Sequence, residues 1–286
     1  MDDAGLVTVV IPTWNRAGLV EQAVASVVAQ TYANWELVVV DDGSTDDTAG
    51  RLRRLALPNF RLVRTAHFGH LGKLRNLGAA AGRGAFLAFL DSDDLWRPEK
   101  LETQLCAMRK DARAGWSYTE YSLFGGDGGE MPLRSGRAPA ISSDVLRALL
   151  KEETGICPCT LLVRRSLFEE IGGFSEEPRL AFRDDFEIVL RLAGASSVIA
   201  IPERLALVRE HEGRLTKTLP YPHEHSAVPY EFFLARATDS ELRRLARRRR
   251  ADCLRKAGAQ RLREGHFGYA AALFWRSAFG AKGFFR

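Results

Sequence analysis

Three carboxylates follow an apolar run near the end of the first third of the chain. The run Phe86–Leu90 leads directly into Asp91-Ser-Asp93-Asp94. A short apolar run of this kind is typical of a buried strand, so the carboxylates would lie at the rim of a sheet. Three like charges repel unless a cation or hydrogen-bond donors offset them, and Mg²⁺ and Mn²⁺ prefer carboxylate oxygens. The same residues could instead cap the helix that Trp96-Arg-Pro-Glu99 opens, so a metal site and a helix cap both stay open.

The composition is that of an ordinary globular protein. The 286 residues are 46% hydrophobic and 27% charged, which suffices for a substantial core. No apolar run approaches the ~18 residues of a membrane helix, and the N-terminus lacks the basic and apolar regions of a signal peptide, so we expect a cytoplasmic protein. The 4 cysteines have neither disulfide-framework nor zinc-site spacing, and we expect them to be structural and unligated.

Strand-like and helix-like segments alternate along the N-terminal part of the chain. Three segments have the β-branched, apolar character of buried strands: Val7–Ile11, Glu36–Val40 and Arg61–Arg64. Helical periodicity over Leu19–Gln30 and Thr48–Leu55 fills the gaps between them. This alternation predicts an α/β fold with a parallel, doubly wound sheet.

Polar clusters follow the predicted strand ends. They are Thr13–Arg16, Asp41–Ser44 and Asp91–Asp94. Ligands of such sheets bind beyond the carboxyl ends of the strands, so these clusters should face one crevice. No Gly-x-Gly-x-x-Gly follows the first strand and no Walker A motif is present, which argues against a dinucleotide or P-loop site. The glycine-containing segment His67–Gly78 carries Lys73 and Arg75, which could neutralise phosphates or simply be solvated.

Two further acidic residues open a helical segment in the second half of the chain. The segment Phe182–Leu192 has helical periodicity, which places Asp184 and Asp185 in its first turn. The helix macrodipole favours acidic residues there, so a capping role and a chemical role both stay open. His211 follows the apolar run Leu205–Val208, and a lone histidine is more often structural than a ligand.

The positive charge is concentrated near the C-terminus. Residues 236–263 carry a net charge of +8, against +5 for the whole chain. Helical periodicity there and over residues 259–279 predicts a helical hairpin. Its basic helix could be solvated and pack on the main domain through Leu242, Leu245 and Leu254, or it could bind an anionic membrane surface. Nucleic-acid binding is the least favoured alternative, because no aromatic residues alternate with the arginines and no nucleic-acid motif is present.

Together these motifs resemble the family-2 glycosyltransferases, which have the GT-A fold. The resemblance covers about residues 6–215 in the family's order and rests on these segments: Val9-Val-Ile-Pro-Thr-Trp-Asn-Arg16, Ser26–Tyr32, Glu36–Asp46, Arg75-Asn76, Phe89–Asp94, Asp184-Asp185 and Arg191-Leu192. It implies a Rossmann-like α/β fold with a mixed, mostly parallel sheet flanked by helices. The GT-A domain would span residues 1–225, with a donor-binding half to about 110 and an acceptor-side half from about 111, followed by a basic helical extension over 226–286.

The resemblance also implies an activity. The protein would be a metal-dependent, inverting glycosyltransferase that moves a sugar from a nucleotide-diphosphate donor. The expected donor is a UDP-sugar. The acceptor would be a hydroxyl group of a surface-polysaccharide, lipid-linked or protein glycan, and the cofactor would be Mn²⁺ or Mg²⁺. A lipid-linked acceptor would suit a cytoplasmic enzyme held at the inner face of the membrane through residues 236–263.

Position by position, the resemblance assigns a donor pocket. Asp42, with Asp41 beside it, would accept a hydrogen bond from the base, and Asp93 would contact the ribose. Lys73 or Arg75 would approach the base or the diphosphate. The resemblance also places five residues of the first strand and its turn in the nucleotide-sugar pocket: Pro12, Thr13, Trp14, Asn15 and Arg16.

The metal and catalytic positions follow in the same way. Asp94 would bind the metal, with Asp91, Asp93 and, less directly, His211 as further ligands. Asp185 matches the family's catalytic base, because it stands 6 residues before Arg191. The family usually has Glu-Asp at this pair, and this chain has Asp184-Asp185, which leaves the choice between the two open.

Two other functions are compatible with a similar sheet. A sugar nucleotidylyltransferase needs a glycine-rich, basic loop after the first strand, and Pro12-Thr-Trp-Asn15 does not provide one. A module that binds nucleotides or partners without transferring anything would not need the full acidic set.

Overall fold

The computed structural model describes residues 5–125, 130–131, 144–211 and 222–279. The strands are β1 Val7–Thr13, β2 Trp35–Asp41, β3 Phe60–Arg64, β4 Phe86–Phe89, β5 Leu95–Trp96, β6 Ala114–Phe124, β7 Glu130–Met131, β8 Leu161–Arg164 and β9 Ser197–Arg209. The helices are α1 Ala17–Val28, α2 Thr48–Arg53, α3 Leu71–Ala81, α4 Lys100–Lys110, α5 Val145–Leu150, α6 Arg165–Glu170, α7 Asp184–Ala195, α8 Pro222–Arg236, α9 Ser240–Arg263 and α10 Phe267–Phe279.

Within the described residues, all strands join one sheet in the order β3-β2-β1-β4-β8-β6-β9-β5, with β7 paired to β6. Strand β1 runs parallel to β2 and β4, and β2 runs parallel to β3. Strand β8 is antiparallel to β4 and to β6, whereas β9 is parallel to β6. The predicted α/β fold with a mixed, mostly parallel sheet is confirmed.

Helices cover both faces of the sheet, as continuous apolar strands require. On one face, α1 and α4 bury Val24 and Leu105 against the sheet. On the other face, Phe168 of α6 and Ile188 of α7 pack in the same cluster as Phe89 of β4. The core on this second face therefore places α7 against the end of β4.

Strand β9 is a long strand that pairs with β6 on one side and with β5 on the other. The register between β6 and β9 shifts near Glu120, where the polar residues after Ile201 are accommodated. The pairing of the two strands then continues to Arg209. The end of β9 therefore reaches the loop that follows β4, where Arg209 and His211 lie close to Asp93.

The C-terminal helices pack on the domain and on each other. Helix α9 contacts α8 and α10, and α8 contacts α7. The predicted helical hairpin is formed by α9 and α10, and the predicted domain boundary near residue 225 falls inside α8. No helix in the described ranges is both long and apolar enough to cross a membrane. Parts of the predicted acceptor-side half, residues 126–129, 132–143 and 212–221, lie outside the described residues.

A glycine in α3 sets how closely this helix approaches the sheet. A Cβ at Gly78 would overlap Cγ1 of Val10, which is fully buried and β-branched. We expect Gly78→Ala to lower the free energy of unfolding in urea by about 1–3 kcal/mol, because overpacked cores must shift. The matched control is Gly18→Ala in α1, where no atom lies within 4 Å of the added Cβ. Equal effects of the two substitutions would contradict this account of the packing.

Candidate active site

The predicted polar clusters meet at the carboxyl edge of the sheet. Thr13 of β1 lies in register with Asp41 of β2, and the amide of Asp42 donates to the carbonyl of Thr13 over 2.9 Å. The amide of Leu90, at the end of β4, donates to the carbonyl of Val10 over 3.0 Å. Because β1, β2 and β4 are parallel, the turns that follow them share one side of the molecule.

The turn after β1 fixes two other segments of the site. Asn15 has a left-handed backbone with φ 49, and its Oδ1 accepts the amides of Thr45 and Asp46. The guanidinium of Arg16 lies 2.8 Å from Oδ2 of Asp93. Arg16 therefore joins the first turn to the acidic segment that follows β4.

The two aspartates after β2 have different surroundings. Asp41 is fully buried, and its carboxylate accepts the amide of Ser44 over 2.9 Å and pairs with Arg64 over 2.9 Å. Asp42 accepts the amides of Phe68 and Gly69 over 2.7 and 2.9 Å. Asp41 therefore shapes the turn, whereas Asp42 faces the loop that precedes α3.

An aromatic pair lies beside Asp42. The rings of Trp14 and His67 stack with centroids 4.4 Å apart, and Trp14 is 48% exposed. Nδ1 of His67 lies 2.9 Å from Oδ2 of Asp42. The predicted phosphate ligand Lys73 lies with its ammonium group 3.6 Å from the centre of the Phe68 ring. These side chains give the mouth of the cleft a flat, polar-edged surface on which a planar ring could stack.

Arg75 bridges two acidic segments that are distant in sequence. Its guanidinium is 2% exposed and contacts Asp91 over 2.7 Å and Asp184 over 3.0 Å. Burial opposes the charge of Arg75, but attraction to these two carboxylates exceeds that cost, so the pKa is raised. Arg75 therefore binds protein carboxylates in this structure, and it ties the segment after β4 to the first turn of α7.

The carboxylates around Arg75 outnumber the buried positive charge. Burial raises the pKa of Asp184 to about 7, with Arg75 opposing and Asp185 and Asp91 adding to the rise. Burial also raises the pKa of Asp185, and Arg183 opposes that rise. Asp185 receives the amide of Phe186 over 2.7 Å and is more accessible than Asp184. A carboxylate with a raised pKa is suited to accept a proton near neutral pH.

The pKa of Asp184 predicts a pH-dependent stability. Between the ordinary value of 3.8 and about 7, the folded chain holds a proton that the unfolded chain has released. The contribution of Asp184 to the free energy of unfolding therefore decreases as the pH rises through this window. Urea unfolding should show that the free energy of unfolding of the wild type decreases, relative to that of Asp184→Asn, as the pH rises from about 4 to about 7. A difference independent of pH would contradict the assignment.

Three of the four predicted metal ligands, Asp93, Asp94 and His211, lie near the end of β9. Oδ2 of Asp93 is 2.9 Å from Nε2 of His211, and Asp94 accepts the amide of Arg209 over 3.0 Å. Asp91 points to Arg75 instead. In the described part of the chain no three such side chains converge closely on one point. Carboxylate and imidazole are nevertheless donors that divalent metals accept, so the donor set of Asp93, Asp94 and His211 fits a divalent cation.

Two site residues have no counterpart in the sequence-based prediction. His67 stacks on Trp14, and Arg209 donates through Nε to the carbonyl of Asp93 over 2.8 Å. Arg209 is the last residue of β9 and His211 lies two residues further on, and an extended chain directs residues two apart to one face. The two-residue spacing from His211 is the sequence signal that could have identified Arg209.

The fold is that of the glycosyltransferases with GT-A architecture. The chain belongs to glycosyl transferase family 2, whose sequence model matches residues 8–172. The UDP-Glc:alpha-D-GlcNAc-diphosphoundecaprenol beta-1,3-glucosyltransferase WfgD of Escherichia coli is 36% identical over 124 residues, which are 43% of this chain and 48% of that protein. The chain thus spans about half the length of this curated relative.

Solved structures share the fold. The complex of S. aureus TarS 1-349 with UDP-GlcNAc aligns with a TM-score of 0.68 at 20% identity, covering 88% of this chain and 72% of that chain. The mannosyltransferase PcManGT from Pyrobaculum calidifontis, in complex with GDP-Man and Mn²⁺, aligns with a TM-score of 0.63 at 22% identity, covering 95% and 79%. The GT-A prediction is therefore confirmed.

Proposed function

We propose that this chain is an inverting, metal-dependent glycosyltransferase that uses a nucleotide-diphosphate sugar, with UDP as the nucleotide. The observation that carries the proposal is the bridge from Asp91 through Arg75 to Asp184, with contacts of 2.7 and 3.0 Å. This bridge joins the acidic segment after β4 to the helix that carries Asp185. Family membership and the likeness to complexes of TarS with UDP-GlcNAc and of PcManGT with GDP-Man support the same interpretation.

The donor would bind along the carboxyl edge of β1, β2 and β4. The Trp14–His67 pair offers a stacking surface for the base, and Asp42 offers a carboxylate for the base edge. Thr13, whose buried Oγ1 has no hydrogen-bond partner among the described residues, would face the ribose together with Pro12. In this proposal Asp41 and Asn15 shape the pocket, because their side chains already bind the turn after β2.

Asp93, Asp94 and His211 would hold Mn²⁺ or Mg²⁺ beside the diphosphate. A bound divalent cation offsets the charge that develops on a diphosphate leaving group. Arg16 and Arg209 would add positive charge there, since Arg16 lies 2.8 Å from Asp93 and Arg209 contacts the Asp93 carbonyl. Arg75 would position Asp91 and Asp184 and would not contact the donor.

Asp185 would be the general base. Asp184 is only 3% exposed and is paired with Arg75, whereas Asp185 is the more accessible of the two. Asp185 would take the proton from the acceptor hydroxyl as that oxygen attacks the anomeric carbon and the nucleoside diphosphate leaves on the opposite side. One displacement inverts the anomeric configuration, and no protein nucleophile is needed.

We further propose a lipid-linked glycan as the acceptor, which would place the enzyme at the inner face of a membrane. This follows the relative WfgD, whose name states a diphosphoundecaprenol-linked acceptor. Other surface-polysaccharide or protein glycans would offer the same hydroxyl chemistry.

The test is UDP release from a panel of UDP-sugars, measured with Mn²⁺ and with EDTA. We expect Mn²⁺-dependent release from at least one donor, and a large loss in the variant Asp93→Ala. The same panel should raise the melting temperature of the wild type when Mn²⁺ is present, because the ligand binds the folded state. The melting temperature could instead rise while no UDP is released from any donor, even with a lipid-linked acceptor supplied. That result would favour a non-catalytic nucleotide-binding module.

A further inference from the structure

The cations of residues 236–263 divide into two groups. One group points inward and holds the C-terminal helices on the domain. Arg250 is 6% exposed and contacts Glu231 and the carbonyl of Arg276, both over 3.1 Å. Arg243 donates to the carbonyls of Leu234 and Ala237 over 2.6 Å. These arginines supplement the packing that the sequence predicted, since Leu254 is buried in the core and Leu242 and Leu245 pack against it.

The other group forms an outer basic face on α9, which we define as Arg244, Arg247, Arg248, Arg255 and Lys256. All of these side chains are exposed. The four arginines are spaced so that they lie on one side of a helix, since a turn takes 3.6 residues. Over the described residues 222–279, Arg255 alone in this set forms an ion pair, with Asp252.

Of the three acidic residues at positions 239, 241 and 252, one pairs with a cation of this face. Glu241 pairs with Arg147 of α5, and Asp239 caps α9 by accepting the amide of Leu242 over 2.8 Å. Asp252 engages Arg255. The outer basic face therefore keeps a clear excess of positive charge towards solvent.

Apolar side chains lie at the end of the same helix. Leu262 is 47% exposed and Phe267, at the start of α10, is 69% exposed. Leu262 lies 18 residues after Arg244, which is five helical turns, so it continues the side of α9 that carries the arginines. We call Leu262 and Phe267 the apolar tip. Cations in line with exposed apolar residues are typical of helices that lie on an anionic lipid surface.

We propose that the outer basic face and the apolar tip dock this protein on an anionic phospholipid bilayer. The charge of the face is complementary to acidic headgroups, and the tip would enter the interface between headgroups and acyl chains. A nucleic acid would also attract the cations, but the tip lies at one end of α9 and does not interleave with them, as base stacking would require. This surface lies beyond residues 8–172, which the family model matches, and it does not depend on the identity of the sugar donor.

Vesicle co-sedimentation tests the proposal. The probes are vesicles of phosphatidylcholine alone and of phosphatidylcholine with phosphatidylglycerol, used with the full chain. Each basic residue near such a surface strengthens binding on the order of fivefold, so we expect R244Q/R247Q/R248Q to bind the acidic vesicles about 100-fold more weakly. The matched control is R83Q/K110Q/R113Q, which removes the same charge from exposed positions outside α9 and should bind like the wild type.

Two further readouts make the result decisive. Phe267→Ser should reduce the fraction of wild type that stays bound in high salt, because apolar insertion resists screening. High salt on the wild type also tests the charged face without any substitution. Equal loss in the two triple variants, equal binding to neutral vesicles, or binding to a single-stranded oligonucleotide with none to acidic vesicles would overturn the proposal.

Discussion

Asp185→Asn is expected to lower kcat by about 10²–10⁴-fold and to leave the dissociation constant of the donor unchanged. The amide cannot accept the proton of the acceptor hydroxyl, but it can still receive the amide of Phe186 that holds the side chain. Transfer rates and isothermal titration with UDP and Mn²⁺ measure the two quantities separately. Loss of nucleotide affinity in this variant would instead indicate a binding role.

Asp185→Glu is the matched control for this substitution. It keeps the carboxylate and moves it by one methylene, so it should retain part of the activity that the asparagine variant loses. Its acid limb should still lie above the ordinary pH range of a carboxyl group, because burial raises the pKa at this position. If the glutamate and asparagine variants were equally inactive, geometry rather than proton transfer would explain the loss.

Arg75→Met is expected to lower the free energy of unfolding by about 3–5 kcal/mol at pH 8, because it leaves Asp91 and Asp184 without their shared cation. Asp184 is 3% exposed, so its charge cannot be solvated in place. Urea unfolding measures the loss. The loss should be smaller at pH 5, where a carboxyl with a raised pKa can become neutral.

A double-mutant cycle separates this charge effect from the loss of side-chain volume. In the Arg75→Met background, Asp184→Asn should cost little or restore some stability, because it removes the unpaired charge. In the wild-type background the same change should cost less stability at pH 8 than Arg75→Met does, because Arg75 keeps Asp91 as a partner. Additive effects of the two substitutions would show that Arg75 and Asp184 do not interact as described.

The hydrophobic pattern was sufficient to predict the donor half of the fold. Strands β1, β2 and β4 are continuous apolar runs that end in polar turns, and the rule for parallel sheets then gathers Thr13, Asp42 and Asp91 at one edge. The carboxyl ends of β1 and β4 are marked locally, by Pro12 beside the last residue of β1 and by the acidic residues after β4. Such local signals specify elements and their order well.

The partners of charged side chains could not be predicted in the same way. Lys73 and Arg75 were considered together as donor ligands, but residues two apart on a helix point about 200° away from each other. Arg75 consequently faces the core between Asp91 and Asp184, while Lys73 lies on Phe68. The pairing joins residues separated by 109 positions, and only the folded chain brings them together.

The basic helix shows a second limit. Its sequence permits packing on the domain or binding to a surface, and the structure turns some arginines towards the domain and leaves others exposed. Arg250 points inward because it follows the buried face of Ala246, Cys253 and Leu254, whereas Arg247 and Arg248 point outward. The helical periodicity predicts that these arginines lie on different sides of α9. Which side contacts the domain depends on α8 and α5, so the sequence of α9 alone does not determine it.

A structure of the wild type with UDP and Mn²⁺ would test the central claim most directly. We expect the uracil ring against Trp14 and Asp42, the cation held by Asp93, Asp94 or His211, and the diphosphate in the cleft that Asp185 borders. UDP bound on another face, or a cleft in which Asp42, the Asp91–Asp94 segment and Asp185 contact separate ligands, would contradict the account.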